Sequence, residues 1–151
     1  MTTLTRYFIW FFCFLFIFTC ICGVLAALLP QGVGGILTVI PYMIAMIWVL
    51  FKFIKQQKRA PSQHERIKFT WGLNLIFWLF NVFFVFLGIF LFSKGDPEIW
   101  KIFLLYLKEP KFMLTVGGLF LLIAAPLAFI TYWFYGPQAQ RMANKIHHKD
   151  I

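Results

Sequence analysis

YFIWFFCFLFIFTCICGVLAALL, residues 7–29, runs for 23 residues without a single charge. As an α-helix rising 1.5 Å per residue it is about 34 Å long, enough to cross about 30 Å of hydrocarbon with some tilt. The apolar run is continuous rather than alternating, which excludes the strand of a membrane barrel. A secretory signal peptide is the competing reading, because Arg6 precedes the run and Val24, Ala26 and Ala27 mimic a cleavage site. The length and bulk of the run favour a permanent span.

Three further runs of this kind follow, at about 36–54, 69–92 and 112–135. The whole chain of 151 residues is 62% hydrophobic and 13% charged, against about 45–50% and about 25% in ordinary soluble domains. The expected fold is therefore all-α, a single integral membrane domain over residues 1–151 with four transmembrane helices in two antiparallel hairpins. Pro30-Gln31-Gly32-Val33-Gly34-Gly35 closes the first hairpin as a charge-free reversal, since Pro cannot continue a helix and glycines permit a tight turn. Pro41 sits near enough to the start of the second span to be tolerated or to bend its first turns.

Between spans two and three, KFIKQQKRAPSQHERIK (52–68) carries six Lys or Arg against Glu65 alone. Within it, Ser62-Gln63-His64-Glu65 has the spacing of a capping box, so helix three is expected to start here, in water, ahead of its apolar run. After span three, Asp96-Pro97-Glu98 is a helix-start signal. Residues 97–108 are too few to cross a bilayer, and they carry Lys101 and Lys108 on one side, which predicts a short interfacial helix. Gly136-Pro137 stops or bends span four. The tail, 136–151, places Arg141, Lys145 and Lys149 at helical spacing beside Met142 and Ile146, the pattern of a short basic helix resting on the membrane surface.

The formal charge is +9, and the 14 Lys and Arg collect at the ends of the apolar runs. Ten of them fall at the N-terminus, in the 52–68 loop and in the tail; the other four lie in 94–111 beside Asp96, Glu98 and Glu109. The bias places both termini in the cytoplasm, with anionic lipid headgroups as the partner of the basic residues. Nucleic acid is excluded as a partner because no soluble scaffold presents the cations. Lys58, Arg59, Arg66, Lys68, Arg141 and Lys145 are the candidate contacts with headgroups or with a cytoplasmic partner.

No ionisable residue stands in the middle of a span, which argues against a simple proton antiporter. Span three instead carries Trp71, Asn74, Trp78 and Asn81, whose spacings of 3, 4 and 3 put them on one helix face. An amide in hydrocarbon needs a partner, so this face is expected to point at another helix or, alternatively, to line a polar path. Gly23 with Ala27, and Gly117 with Ala124 and Ala128, are small-residue faces where helices can approach. Cys13, Cys20 and Cys22 read as small apolar packing residues. His147-His148 with Asp150 reads as a solvated tail, because adjacent histidines on a helix diverge. Neither a cofactor nor a metal is expected.

Ile40-Pro41-Tyr42, followed by FKFIKQQKRAPSQHER (51–66), resembles a group of small, four-span, uncharacterised inner-membrane proteins of Gram-negative bacteria. In these a Pro-bearing second span leads to an Arg-Ala-Pro loop and a Glu-Arg entry to span three. The resemblance implies the bacterial inner membrane and the number of spans, and it supplies no activity. The expected function is non-enzymatic: contact with another membrane component, as a regulator, assembly factor or toxin-immunity protein, the last by analogy of size alone. The alternative is a small oligomeric channel or transporter whose polar path is lined by span three. A lipid-acting enzyme would have only His64 with Glu65 as a candidate pair.

Overall fold

A computed structural model describes residues 3–28 and 34–147, and within them every regular element is helical. Helix α1 (Thr3–Leu28), α2 (Gly34–Gln57) and α3 (Gln63–Ser93) are followed by the shorter α4 (Pro97–Lys108). Then come α5 (Pro110–Trp133), a π-helical turn (Phe134–Gln138) and α6 (Ala139–His147). Four helical stretches are long and apolar enough to cross a membrane: Leu4–Leu28, Val39–Gln57, Gln63–Ser93 and Pro110–Ile146. Each runs past the apolar stretch read from sequence, because helical hydrogen bonding continues into the polar flanks where water or headgroups meet the side chains. Pro30 to Val33 lie outside the described residues, and α2 begins at Gly34, within the stretch read as the reversal.

The caps form as their sequences dictate. Ser62 Oγ accepts from the Glu65 backbone N–H at 3.4 Å, and Glu65 Oε2 accepts from the Ser62 N–H at 2.8 Å, satisfying two orphan donors of α3. At α4, Asp96 Oδ1 accepts from the Glu98 N–H at 2.9 Å, with Pro97 at the first helical position. Gly136-Pro137 bends the chain without ending it. Pro137 has no N–H to offer, Gly136 leaves helical geometry (φ −106°, ψ −105°), and α6 continues beyond.

Ring contacts give the packing. Tyr7 meets Phe53, while Tyr7, Phe12 and Phe16 of α1 meet Phe69, Phe80 and Phe84 of α3 in rising order. Trp78 of α3 lies 4.2 Å from Phe120 of α5 between ring centroids. The buried core occupies one end of the bundle. It includes Tyr7, Phe11 and Leu15 of α1, residues from Tyr42 to Ile54 of α2, and Phe69 to Phe80 of α3, closed by Leu127, Tyr135, Ala139 and Ala143. Past Leu15 no described residue of α1 is buried, and before Leu127 none of α5 is. The bundle is dense at its basic end and splayed at the other.

Helix α6 departs from the surface helix read in the tail. Ala139 and Ala143 are buried, and Met142 and Ile146 pack on the same core, so its apolar stripe faces protein. Arg141 and Lys145 stay exposed on the other side. A stripe of small and flexible apolar residues fits the shallow space against α2 that the bend at Gly136 opens.

Candidate functional site

The polar interior of the bundle is built where α2, α3 and α5 cross. Tyr42 Oη and Thr131 Oγ1 lie 2.6 Å apart, and Asn74 Nδ2 donates to Tyr42 Oη at 3.0 Å and to the Thr70 carbonyl at 2.9 Å. Thr131 donates to the Leu127 carbonyl at 2.7 Å. Around this network Phe11 and Phe77 stand edge-on to the Tyr42 ring at 5.6 and 5.0 Å. One turn nearer the basic end, the buried Tyr135 hydroxyl donates to the Met46 carbonyl at 3.1 Å. Such groups are costly unpaired in hydrocarbon, so three helices meet where the Tyr42 and Thr131 hydroxyls and the Asn74 N–H₂ find partners.

Of the face Trp71–Asn74–Trp78–Asn81, the first three residues line one hollow of about 330 Å³ with Phe120, Ala124 and Ala128 of α5, and Asn81 lies apart from it. Asn74 is buried in the network, whereas Trp71 is 74% exposed. Trp78 is half-buried against Phe120, and Asn81 donates to the Phe77 carbonyl of its own helix at 2.8 Å. Trp71 and Trp78 differ by only about 20° around the helix axis, so their unequal exposure follows from height along α3: Phe120 of α5 covers Trp78. Two atoms under this face, Asn74 Oδ1 and Trp78 Nε1, are buried without a hydrogen-bond partner. Asn81 lines a cavity of about 170 Å³ with Thr19, Cys22, Gly23, Pro41 and Phe80.

Two of the candidate surface cations are paired within the chain, Arg59 at the surface and Arg66 half-buried. The Arg59 guanidinium forks onto Glu65, with Nη1 to Oε2 at 2.7 Å and Nη2 to Oε1 at 2.8 Å. This fork, reinforced by the Ser62 N–H, holds the Glu65 carboxyl down to about 2, against the opposing effect of its partial burial, and raises Arg59 above its ordinary value. Arg66 donates from Nε to the Tyr132 carbonyl at 2.6 Å, and its guanidinium lies 3.4 Å over the Tyr132 ring. Gln63 Nε2 donates to the Tyr132 hydroxyl at 2.8 Å. Gly136 makes room for this clamp: a β-carbon there would run into the Arg66 guanidinium. Lys68, Arg141 and Lys145 remain exposed, and Lys58 takes a left-handed turn conformation (φ 54°) after α2.

The small-residue faces divide: Ala124 and Ala128 of α5 face α3 across the hollow they share with Trp71, Asn74 and Trp78, whereas Gly23 and Gly117 have open space around them. Among the described residues nothing lies within 4 Å of a β-carbon built on Gly23 or Gly117, and Gly23 looks into the cavity it shares with Pro41 and Asn81. The close approach is at Gly72, where such a carbon would meet the Phe8 ring at 2.5 Å. Cys13 and Cys20 are exposed on α1 instead of packed between helices, because the buried side of α1 is taken by Tyr7, Phe11 and Leu15. His148 and Asp150 lie outside the described residues. Comparison with protein-family models, with curated proteins and with solved structures finds no match.

The residues that sequence reading missed are Tyr42, Thr131, Tyr135 and Tyr132. Tyr42 and Tyr135 carry the one available signal, a polar-tipped aromatic within a long apolar helix.

Proposed function

We propose that this chain is a non-enzymatic, four-span protein of a bacterial inner membrane that works through contacts with another membrane component. Its helices form two antiparallel hairpins, α1 with α2 and α3 with α5, and α4 lies in the outer interface. Both termini and the basic 52–68 loop face the cytoplasm, where ten of the 14 cations collect. The resemblance of 40–42 and 51–66 to small inner-membrane proteins agrees with this placement.

One observation carries the reading: the bundle is closed at its basic end and bare at the other. The interior hydroxyls and the Asn74 N–H₂ are all taken up by hydrogen bonds within the bundle, and the described residues offer no continuous polar lining from end to end. The distal halves of α1 and α3 and most of α5 present exposed apolar side chains, among them Phe83 at 60% and Leu119 at 55% exposure. Lipid or the helices of a partner cover such a surface equally well, and only a partner gives it a function. The alternative of a polar path rests on Asn81, Thr19 and Cys22 around their small cavity. The amide N–H₂ of Asn81 is already bonded within its own helix, which favours the first reading.

Photo-crosslinking residues placed at Phe83 and Leu119 in native membranes should capture a discrete membrane protein, or a second copy of this chain. Saturable, selective solute flux by the purified protein in liposomes would overturn the proposal in favour of a channel or transporter.

A further inference from the structure

On the outer side of the α1–α2 pair, away from the internal network, lies a groove of mixed chemistry. Trp48, Phe51, Lys52, Lys55 and Gln56 recur on α2 at spacings of 3, 1, 3 and 1, one face of a helix. With Phe14 of α1 they enclose about 690 Å³. One end is aromatic: Phe14 and Trp48 stand 4.6 Å apart between centroids, and Trp10 stacks on Phe14 at 5.6 Å. The other end is cationic. Lys52 Nζ sits 2.9 Å over the Trp10 ring, and Lys55 is exposed one turn on.

A second hollow of about 250 Å³ adjoins, lined by Arg6, Tyr7, Trp10, Gln56 and Gln57. The two share Gln56, whose Oε1 accepts from the Tyr7 hydroxyl at 2.8 Å, so that its Nε2–H₂ is the part left to donate. Among the described residues no acidic side chain lines either hollow, and the one described salt bridge, Arg59–Glu65, involves none of these cations. Lys52 and Lys55 in the groove and Arg6 in the adjoining hollow thus bring three cations, with no described carboxylate among them, to the end of an aromatic trough.

We propose that this groove binds one anionic phospholipid, with its phosphate at the Lys52–Lys55 end and an acyl chain along Phe14, Trp48 and Phe51. Charge complementarity selects the headgroup: a basic pocket between transmembrane helices attracts anionic lipid. The trough selects lipid over a free phosphate or an acidic peptide, which would leave the aromatic wall unused. The site rests on the membrane-spanning reading and is independent of any protein covering the splayed faces.

The test is native mass spectrometry of the full chain in detergent, titrated separately with phosphatidylglycerol, phosphatidylcholine of the same chains, and glycerol 3-phosphate. One phosphatidylglycerol should be retained at concentrations where the other two give no adduct. Lys52→Gln with Lys55→Gln should raise the phosphatidylglycerol needed by about tenfold. Lys101→Gln with Lys108→Gln, the same loss of charge elsewhere, should change it by less than about twofold. Lys55→Gln alone, at an exposed position that leaves the fold unloaded, should shift binding in the same direction by less, and Trp48→Ala should also weaken it. Equal retention of phosphatidylcholine, equal loss in the two double variants, or displacement of the lipid by glycerol 3-phosphate would each overturn the site. A failed partner search with these results intact would leave the lipid site standing.

Discussion

Tyr42 and Thr131, 89 positions apart in the chain, hold their hydroxyl oxygens 2.6 Å from each other in the middle of the bundle. Through Asn74 the same hydroxyl ties in a third helix, so one tyrosine joins α2, α3 and α5. An interhelical hydrogen bond in a membrane contributes about 0.6 kcal/mol on average and up to about 1.7. Tyr42→Phe, which keeps the ring and its contacts with Phe11 and Phe77, should destabilise the protein by about 1–2 kcal/mol because two bonds end on that oxygen. Equilibrium unfolding in mixed micelles reads this. Thr131→Val added to Tyr42→Phe should cost less than the two single changes summed, as coupled neighbours do.

The Arg66 clamp should not tolerate lysine. The guanidinium both donates from Nε to the Tyr132 carbonyl and stacks on the Tyr132 ring, a combination an ammonium group cannot make. Arg66→Lys and Arg66→Ala are therefore expected to lower stability alike, by about 1–3 kcal/mol. Gly136→Leu should reach the same range by pushing the guanidinium out. Protease cleavage after residue 133, monitored on intact membranes, should appear in all three variants if the bend and α6 come loose.

Much of this was legible in the sequence, and the reason differs by feature. Spans and caps are local: a charge-free run of 23 residues, Ser62 three before Glu65, and Asp96 before Pro97 each act within one or two helical turns. The interior network was not legible. Which face of α3 is buried depends on where α1 and α5 lie, and the Trp71–Asn81 stripe is as compatible with Trp71 inside as with Trp71 outside. The small-residue faces misled in part for the same reason: Gly23 and Gly72 look alike in sequence, and only Gly72 has a ring against it. Arg59 is the surface cation its loop suggests, paired locally with Glu65, whereas the partner of Arg66, a carbonyl 66 residues on, comes beside it only in the folded bundle.

Stability should fall in acid through one group at the entry to α3. The folded Glu65 carboxyl is held down to about 2, below the ordinary glutamate value of about 4.3, so its contribution is fully present above about pH 4.5. It is lost as the pH drops from there toward 2, when protonation breaks the fork with Arg59. The melting temperature in detergent should decline over that window, and Glu65→Gln should be less stable at pH 7 with a flatter acid limb. An unchanged acid limb in Glu65→Gln would exclude the Arg59 fork as its cause.

Gly72 and Gly23 should respond oppositely to the same change. Gly72→Leu drives a side chain into Phe8 and should separate α1 from α3, at a cost of about 1–3 kcal/mol for overpacking. Gly23→Leu has the cavity beside Pro41 and Asn81 to enter, meets no described residue at its β-carbon, and should leave the unfolding curve in micelles in place. If a partner helix docks on the splayed half of α1, Gly23→Leu should instead reduce crosslinking in native membranes.

The most direct measurement is a pair of alkaline phosphatase fusions, one after residue 95, beyond α3, and one after residue 60, in the basic loop. High phosphatase activity is expected from the first and none from the second. An inactive fusion after residue 95, or an active one after residue 60, would contradict a four-span bundle whose dense, basic end faces the cytoplasm.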